Sequence, residues 1–169
     1  MSKETKTSFF LRYLHKSLQV VNKLEEFRYR IEEDKVYIYD CINASATINR
    51  ADGTFGFSYI DYHKEYSVFE EKALQEIERV MEEKELVPGS VSANIIHYSS
   101  IPWINFTALS HARNFDGGDS VPKISFGKMV LKETRYYMPV SVHVHHALMD
   151  GMHVGQYFEH FERTLSYKE

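Results

Sequence analysis

At 169 residues and 43% hydrophobic content, the chain can bury one substantial core but is short for two, so a single domain over residues 1–169 is expected. A net charge of -4 with 26% charged residues excludes a broad nucleic-acid surface, and no polybasic patch suggests membrane binding. The lone Cys41 excludes an internal disulfide and a thiolate metal cage. With no apolar run of membrane-span length and no signal-peptide core in Met1 to Lys6, it points to a cytoplasmic setting.

From a cap at Thr7 or Ser8, the residues Phe10, Leu14, Leu18 and Val21 recur at helical spacing, so an amphipathic helix opens the chain almost at once. Phe27, Tyr29 and Ile31 then alternate ahead of a polar turn, Glu32 to Lys35, and Val36 to Tyr39 completes a predicted hairpin. A second hairpin pairs Asn43 to Ile48 with Phe55 to Ile60 through the Asp52-Gly53 turn signal. Ser67 and Glu70 have capping-box spacing, and Val68, Leu74, Ile77 and Met81 continue a helix to about Glu85, ended by Pro88-Gly89.

Strands are expected at Asn94 to Tyr98 and at Ile104 to Leu109, on either side of Pro102-Trp103. The polar loop Asn114 to Ser120 holds a double glycine that matches no phosphate-binding fingerprint. Lys123 to Val130 and Met138 to His145 read as antiparallel neighbours joined through Glu133, Thr134 and Arg135. In the second, Val140, Val142 and Val144 face one side, and Ser141, His143 and His145 the other. A closing helix after Gly151 carries Val154, Phe158, Phe161 and Leu165 as its apolar stripe. Twelve tyrosines and eleven phenylalanines suit such a sheet and would mostly fill its core.

The chemistry concentrates where the last strand runs into that helix. His146 stands at the strand end, Asp150 lies four residues on, and Gly151 follows directly. An imidazole exchanges protons near neutral pH, and a strand end presents it rigidly, as general-base work requires. Asp150 suits a helix cap or a tautomer-fixing partner. A buried, hydrogen-bonded histidine beside a capping aspartate is the bland alternative. His143, His145, Asp150 and His153 also admit a metal reading, but such groupings arise readily among nine histidines, and no metal is expected. Ser110-His111 lacks the glycine-framed elbow of a nucleophilic serine.

His145-His146-Ala147-Leu148-Met149-Asp150-Gly151-Met152-His153-Val154-Gly155 resembles the HHxxxDGxHxG signature of the chloramphenicol acetyltransferase family. Pro102 to Thr107 is similar to that family's PWxxFT segment, Ile124 to Met129 to the strand between them, and Glu26-Phe27-Arg28-Tyr29 to an earlier stretch. HxxxDG alone occurs in other coenzyme A-dependent acyltransferases and in peptide-synthetase condensation domains; the ordered combination is more specific. The resemblance covers nearly the whole chain, although family members ordinarily begin with a further strand-and-helix region, which makes this chain amino-terminally short.

The resemblance implies an α/β fold with a mixed, largely antiparallel sheet covered by helices. It also implies a homotrimer with active sites between subunits, and transfer of acetyl from acetyl-CoA to a hydroxyl of chloramphenicol or a similar small acceptor. By motif position His146 would be the general base, and Asp150 a loop anchor whose arginine partner belongs to the opening region. Ser125 would stand where a substrate-binding threonine acts through bound water. The family's oxyanion serine follows PWxxFT, and here that position is Ala108. Loss of one oxyanion donor lowers turnover by about 10²–10³-fold. In an extended strand the neighbouring Thr107 points to the opposite face, while Ser110 shares the face of Ala108 roughly 6–7 Å away. Two expectations result: an acetyltransferase, or a catalytically impaired binding protein that keeps the fold.

Overall fold

The computed structural model describes residues 3–83, 92–110 and 119–166. Helix α1 (Lys3–Lys23) is followed by a 3-10 turn (Glu25–Arg28) and the hairpin β1 (Tyr29–Glu32) and β2 (Lys35–Ile38). Then come β3 (Asn43–Asn49), β4 (Phe55–Phe57), α2 (Tyr66–Glu82), β5 (Ile95–Ser100) and β6 (Lys123–Phe126). The chain continues through β7 (Val130–Lys132), β8 (Arg135–Tyr137), β9 (Val140–His143) and α3 (Gly151–Ser166). No helix among the described residues is long and apolar enough to cross a membrane.

The main sheet has the order β4-β3-β5-β6-β9, and two two-stranded hairpins stand apart from it. Its inner pairs, β3 with β5 and β5 with β6, are parallel, and its outer pairs are antiparallel. Both hairpins are antiparallel, so most ladders are antiparallel while the centre of the sheet is not. Parallel neighbours need a long crossover, which α2 supplies between β3 and β5.

Register sorts the sheet into two chemically distinct faces. Ala46, Tyr98, Ile124 and Val142 form one cross-strand row, and Ser100, Phe126 and Val140 another. These rows face the core shared with α1, α2 and α3. Alternating with them run Ser45, His97, Lys123 and His143, then Ser99, Ser125 and Ser141. Side chains alternate across a strand, so these polar rows occupy the opposite face.

Helix α1 buries Leu11, Leu14, Leu18 and Val21 together with Tyr13, Ser17 and Val20, an apolar surface wider than one stripe because α2 and α3 both pack on it. Tyr13 contacts the Phe126 ring at 4.7 Å, and Ser17 Oγ lies 2.8 Å from the hydroxyls of both Tyr98 and Tyr157. One buried serine thus joins α1, β5 and α3. Arg30 is fully buried on β1 and donates to the carbonyls of Phe27, Tyr29, Ala93 and Ile95. Burial pushes its pKa down to about 10, and the bonds to Ala93 and Ile95 fasten the first hairpin to the start of β5.

Several local expectations change in the tertiary setting. Helix α1 begins at Lys3, so Thr7 and Ser8 lie inside it. Helix α2 begins at Tyr66 after Glu65, with no side-chain cap, and Glu70 accepts from the Tyr66 hydroxyl instead of closing a box with Ser67. It ends at Glu82, and Pro88-Gly89 and Asn114 to Gly118 lie outside the described residues. Phe27 sits in the 3-10 turn rather than in the first strand. The hairpin turn itself is as read: Glu33 and Asp34 adopt φ of 48° and 61°, the two left-handed residues that a two-residue turn needs to match strand twist. In α3 the buried face is Tyr157 and Phe161, whereas Phe158 and Leu165 are exposed, since the Tyr157 hydroxyl must reach Ser17.

Candidate active site

Strand β9 delivers the site. Val140, Val142 and Val144 pack toward the core, which leaves Ser141 and His143 on the polar face, their side chains 3.0 Å apart at Oγ and Nε2. His143 Nε2 also lies 3.0 Å from the carbonyl of Leu109. A carbonyl only accepts, so that nitrogen carries a proton and ties the segment after Pro102-Trp103 to β9. The strand ends at His143, and a turn follows in which the amides of Leu148 and Met149 both donate to the His145 carbonyl.

His146 lies in this turn and is exposed. Its Nδ1 is 3.3 Å from the Met149 carbonyl, which fixes the proton on Nδ1 and leaves a lone pair on Nε2. Asp150 comes next as the N-cap of α3: its Oδ1 accepts from the Met152 amide at 2.9 Å and the His153 amide at 3.4 Å. The Met152 amide above all, then the His153 amide and the nearby His153 and His146 rings, hold the Asp150 carboxyl below the usual carboxylate range. Asp150 also faces His153 Nδ1 at 3.0 Å; no arginine contact to it is found among the described residues.

Ser125 is centred in the polar face, opposite Ser99 on β5 and Ser141 on β9, and has no solvent exposure. Thr107 and Ala108 are exposed. The strand expected over Ile104 to Leu109 does not form. The Ile104 amide turns back to the Ile101 carbonyl, its own carbonyl accepts from the Lys128 amide at 2.7 Å, and no ladder follows. The alternation that separated Thr107 from Ala108 and aligned Ser110 with Ala108 therefore has no strand to rest on. Gly127 allows the close approach of this segment, since a Cβ there would lie 2.8 Å from the Ile104 carbonyl oxygen and 2.8 Å from the Phe106 ring.

Ser125, the 107–109 segment and the strand leading to His146 thus converge on one side of the sheet through β6, β9 and the His143 tie. Among the described residues, the His146 ring is held by the Met149 carbonyl, not by a bond shown to Ser125, Thr107 or Ala108. Among the described residues, no three His, Cys, Asp or Glu side chains converge to hold a metal ion. Sequence reasoning missed the His143 tie, which depends on a residue 34 positions away and leaves no local signal. It also missed the bond from the Asp150 amide to His153 Nδ1, at 3.1 Å, whose signal was available as a hydrogen-bonding residue three places after a cap.

The family model for chloramphenicol acetyltransferase matches residues 1–162. A chloramphenicol acetyltransferase of Bacillus pumilus is 29% identical over 98% of this chain and 76% of its own length. One from Clostridium perfringens is 31% identical over 87% of this chain and 68% of its own length. Among solved structures, a chloramphenicol acetyltransferase superposes with a TM-score of 0.84 at 28% identity, covering 94% of this chain and 78% of that one. A dihydrolipoamide acetyltransferase of Azotobacter vinelandii, at a TM-score of 0.66 and 15% identity over 90% of this chain and 66% of that one, shares the fold alone. A mixed sheet under three helices, with the HHxxxDG turn between its edge strand and last helix, is therefore that of an acyltransferase family, and the chain belongs to the chloramphenicol acetyltransferase family.

Proposed function

We propose that the chain is an acetyl-CoA-dependent O-acetyltransferase acting on a hydroxyl of chloramphenicol or a similar small acceptor, an activity that would confer resistance to that antibiotic. The observation that carries this reading is the His146 ring, held through Nδ1 by the Met149 carbonyl with the Nε2 lone pair left at an exposed edge. Nε2 takes the acceptor hydroxyl's proton as its oxygen attacks the thioester carbonyl. The tetrahedral intermediate then collapses with loss of the C–S bond, and the leaving sulfur receives the proton from Nε2 as coenzyme A thiol. No covalent acyl-enzyme is needed, because both substrates are bound together.

Asp150 anchors the turn in this reading by capping α3. Ser125, wholly buried in one chain, holds the position where the resemblance places a residue that acts on the acceptor through bound water. Thr107 and Ala108 border the position where negative charge develops. What supports a homotrimer with sites between subunits is exposure: His146 stands open in one chain, and Trp103 and Met152 are each 62% exposed. A second copy laid there would cover both apolar side chains and supply the wall that excludes water. The single core cluster supports one domain, and a lone Cys41 suits a reducing cytoplasm.

Ala108 favours a second reading, an acyltransferase fold that binds ligands but turns over poorly. Thiol release from acetyl-CoA with chloramphenicol separates the two. The native chain is expected to exceed His146→Ala clearly, and Ala108→Ser to gain up to about 10²-fold if the missing hydroxyl limits the rate. Equal rates for the native chain and His146→Ala refute the enzyme.

A further inference from the structure

The Met149 carbonyl that holds His146 belongs to the same peptide group as the Asp150 amide. That amide donates to His153 Nδ1 at 3.1 Å, and His153 Nε2 lies 3.6 Å from Glu26 Oε1 on the 3-10 turn before β1. The peptide is trans, so its C=O and N–H point in opposite directions, one toward each imidazole. In the ring that accepts the Asp150 amide at Nδ1, the proton sits on Nε2 and faces the Glu26 carboxylate. His153 and Glu26 are 20% and 31% exposed at their side chains, so the pair is partly shielded from water.

We propose that His153 is a positioning residue for His146, acting through the Met149–Asp150 peptide and backed by Glu26. The inference rests on the reading of His146 as the base. Hydrogen bonds in series polarise one another. Across 3.6 Å the Glu26 carboxylate acts on the Nε2 proton of His153 through its charge rather than a hydrogen bond, Nδ1 becomes a better acceptor for the Asp150 amide, and the Met149 oxygen becomes more negative. A more negative oxygen, held in one plane, keeps the His146 proton on Nδ1 and the Nε2 lone pair directed outward. No proton crosses the peptide, and the effect is orientation and polarity only. His153 takes part as the neutral ring. A proton on its Nδ1 would pair with Asp150 Oδ1, 3.0 Å away, and would cut the link to the Asp150 amide. Asp150 therefore serves two ends of the turn, with its carboxylate capping α3 and its amide coupling the imidazoles.

The test compares His153→Asn with His153→Gln, both polar. The amide oxygen of Asn stands where Nδ1 stood and accepts from Asp150; the polar group of Gln stands at the Nε2 position and leaves that amide unmatched. Imidazole ¹H–¹⁵N correlation spectra, with His146→Ala for assignment, should show the His146 proton confined to Nδ1 in the native chain and His153→Asn, and distributed over both nitrogens in His153→Gln. In thiol-release assays, His153→Gln should lose about 10-fold in kcat with KM for both substrates within about 2-fold, and His153→Asn should recover most of it. Glu26→Gln should lower kcat in the same direction by less. An unchanged His146 tautomer in His153→Gln, or an unchanged kcat, overturns the proposal. If the native chain is no faster than His146→Ala, the acetyltransferase reading fails and the tautomer alone decides the positioning.

Discussion

Replacing Ser17 by alanine should cost far more stability than its size suggests. Ser17 and Tyr157 have no solvent exposure and Tyr98 only 2%, and the serine Oγ is 2.8 Å from each phenol oxygen. Ser17→Ala leaves both phenols without this partner in a space that admits no water. At about 1–3 kcal/mol for each of the two buried phenols left unpaired, the loss is about 2–6 kcal/mol. Urea unfolding at fixed protein concentration reads it directly: with a slope of about 2 kcal/mol per molar, the midpoint falls by about 1–3 M. The triple variant Ser17→Ala, Tyr98→Phe, Tyr157→Phe removes the stranded hydroxyls and should recover most of the loss, a large departure from additivity. The reasoning fails if Ser17→Ala lies within about 0.5 kcal/mol of the native chain, or if the phenylalanines add their own losses to it.

Two further outcomes follow from the same geometry. A Gly127→Ala Cβ would lie 2.6 Å from Pro139 Cγ as well as against Ile104 and Phe106, so the segment bearing Thr107 and Ala108 must move. We expect a stability loss of about 1–3 kcal/mol and a lower thiol-release rate, and an unchanged melting temperature would contradict this. Burial pushes the Tyr13 hydroxyl up to about 12, with the Ser100 bond opposing, and raises Tyr98 and Tyr157 above the ordinary value. The folded chain then holds these protons more tightly than the unfolded one, whose phenols titrate near pH 10. Stability should be undiminished below about pH 10 and fall as pH rises toward 12, tracked by unfolding free energy alongside tyrosinate absorbance. A flat profile across that range would refute it.

Patterns that depend on near neighbours were legible in the sequence. The β1–β2 turn, the Asp52-Gly53 corner and the alternation of Val140 and Val142 against Ser141 and His143 follow from backbone preference and a two-residue period. Asp150 as the cap of α3 was equally readable, because the bonds it accepts come from residues two and three places on. Where packing decides, reading in one dimension failed by small phase errors. The pattern Val154, Phe158, Phe161 and Leu165 places Phe161 correctly inside α3's buried face but leaves Phe158 and Leu165 exposed, because the helix turns Tyr157 inward to meet Ser17, a partner 140 residues away. Ile104 to Leu109 has strand-like composition, but the Ile104 amide and carbonyl go to a turn and to Lys128, the Leu109 carbonyl goes to His143, and no ladder forms.

The sequence by itself determined the chemical inventory of the site, namely the imidazole of His146, the cap Asp150 and the absence of a hydroxyl at Ala108. Only the tertiary structure decided how that inventory is held. The Met149–Asp150 peptide, the His143 bond to Leu109 and the facing of His153 by Glu26 join segments that no local periodicity connects. Hydrogen bonds to backbone carbonyls and amides carry no residue-type signature, so such couplings become visible once the sheet has brought distant peptides within reach.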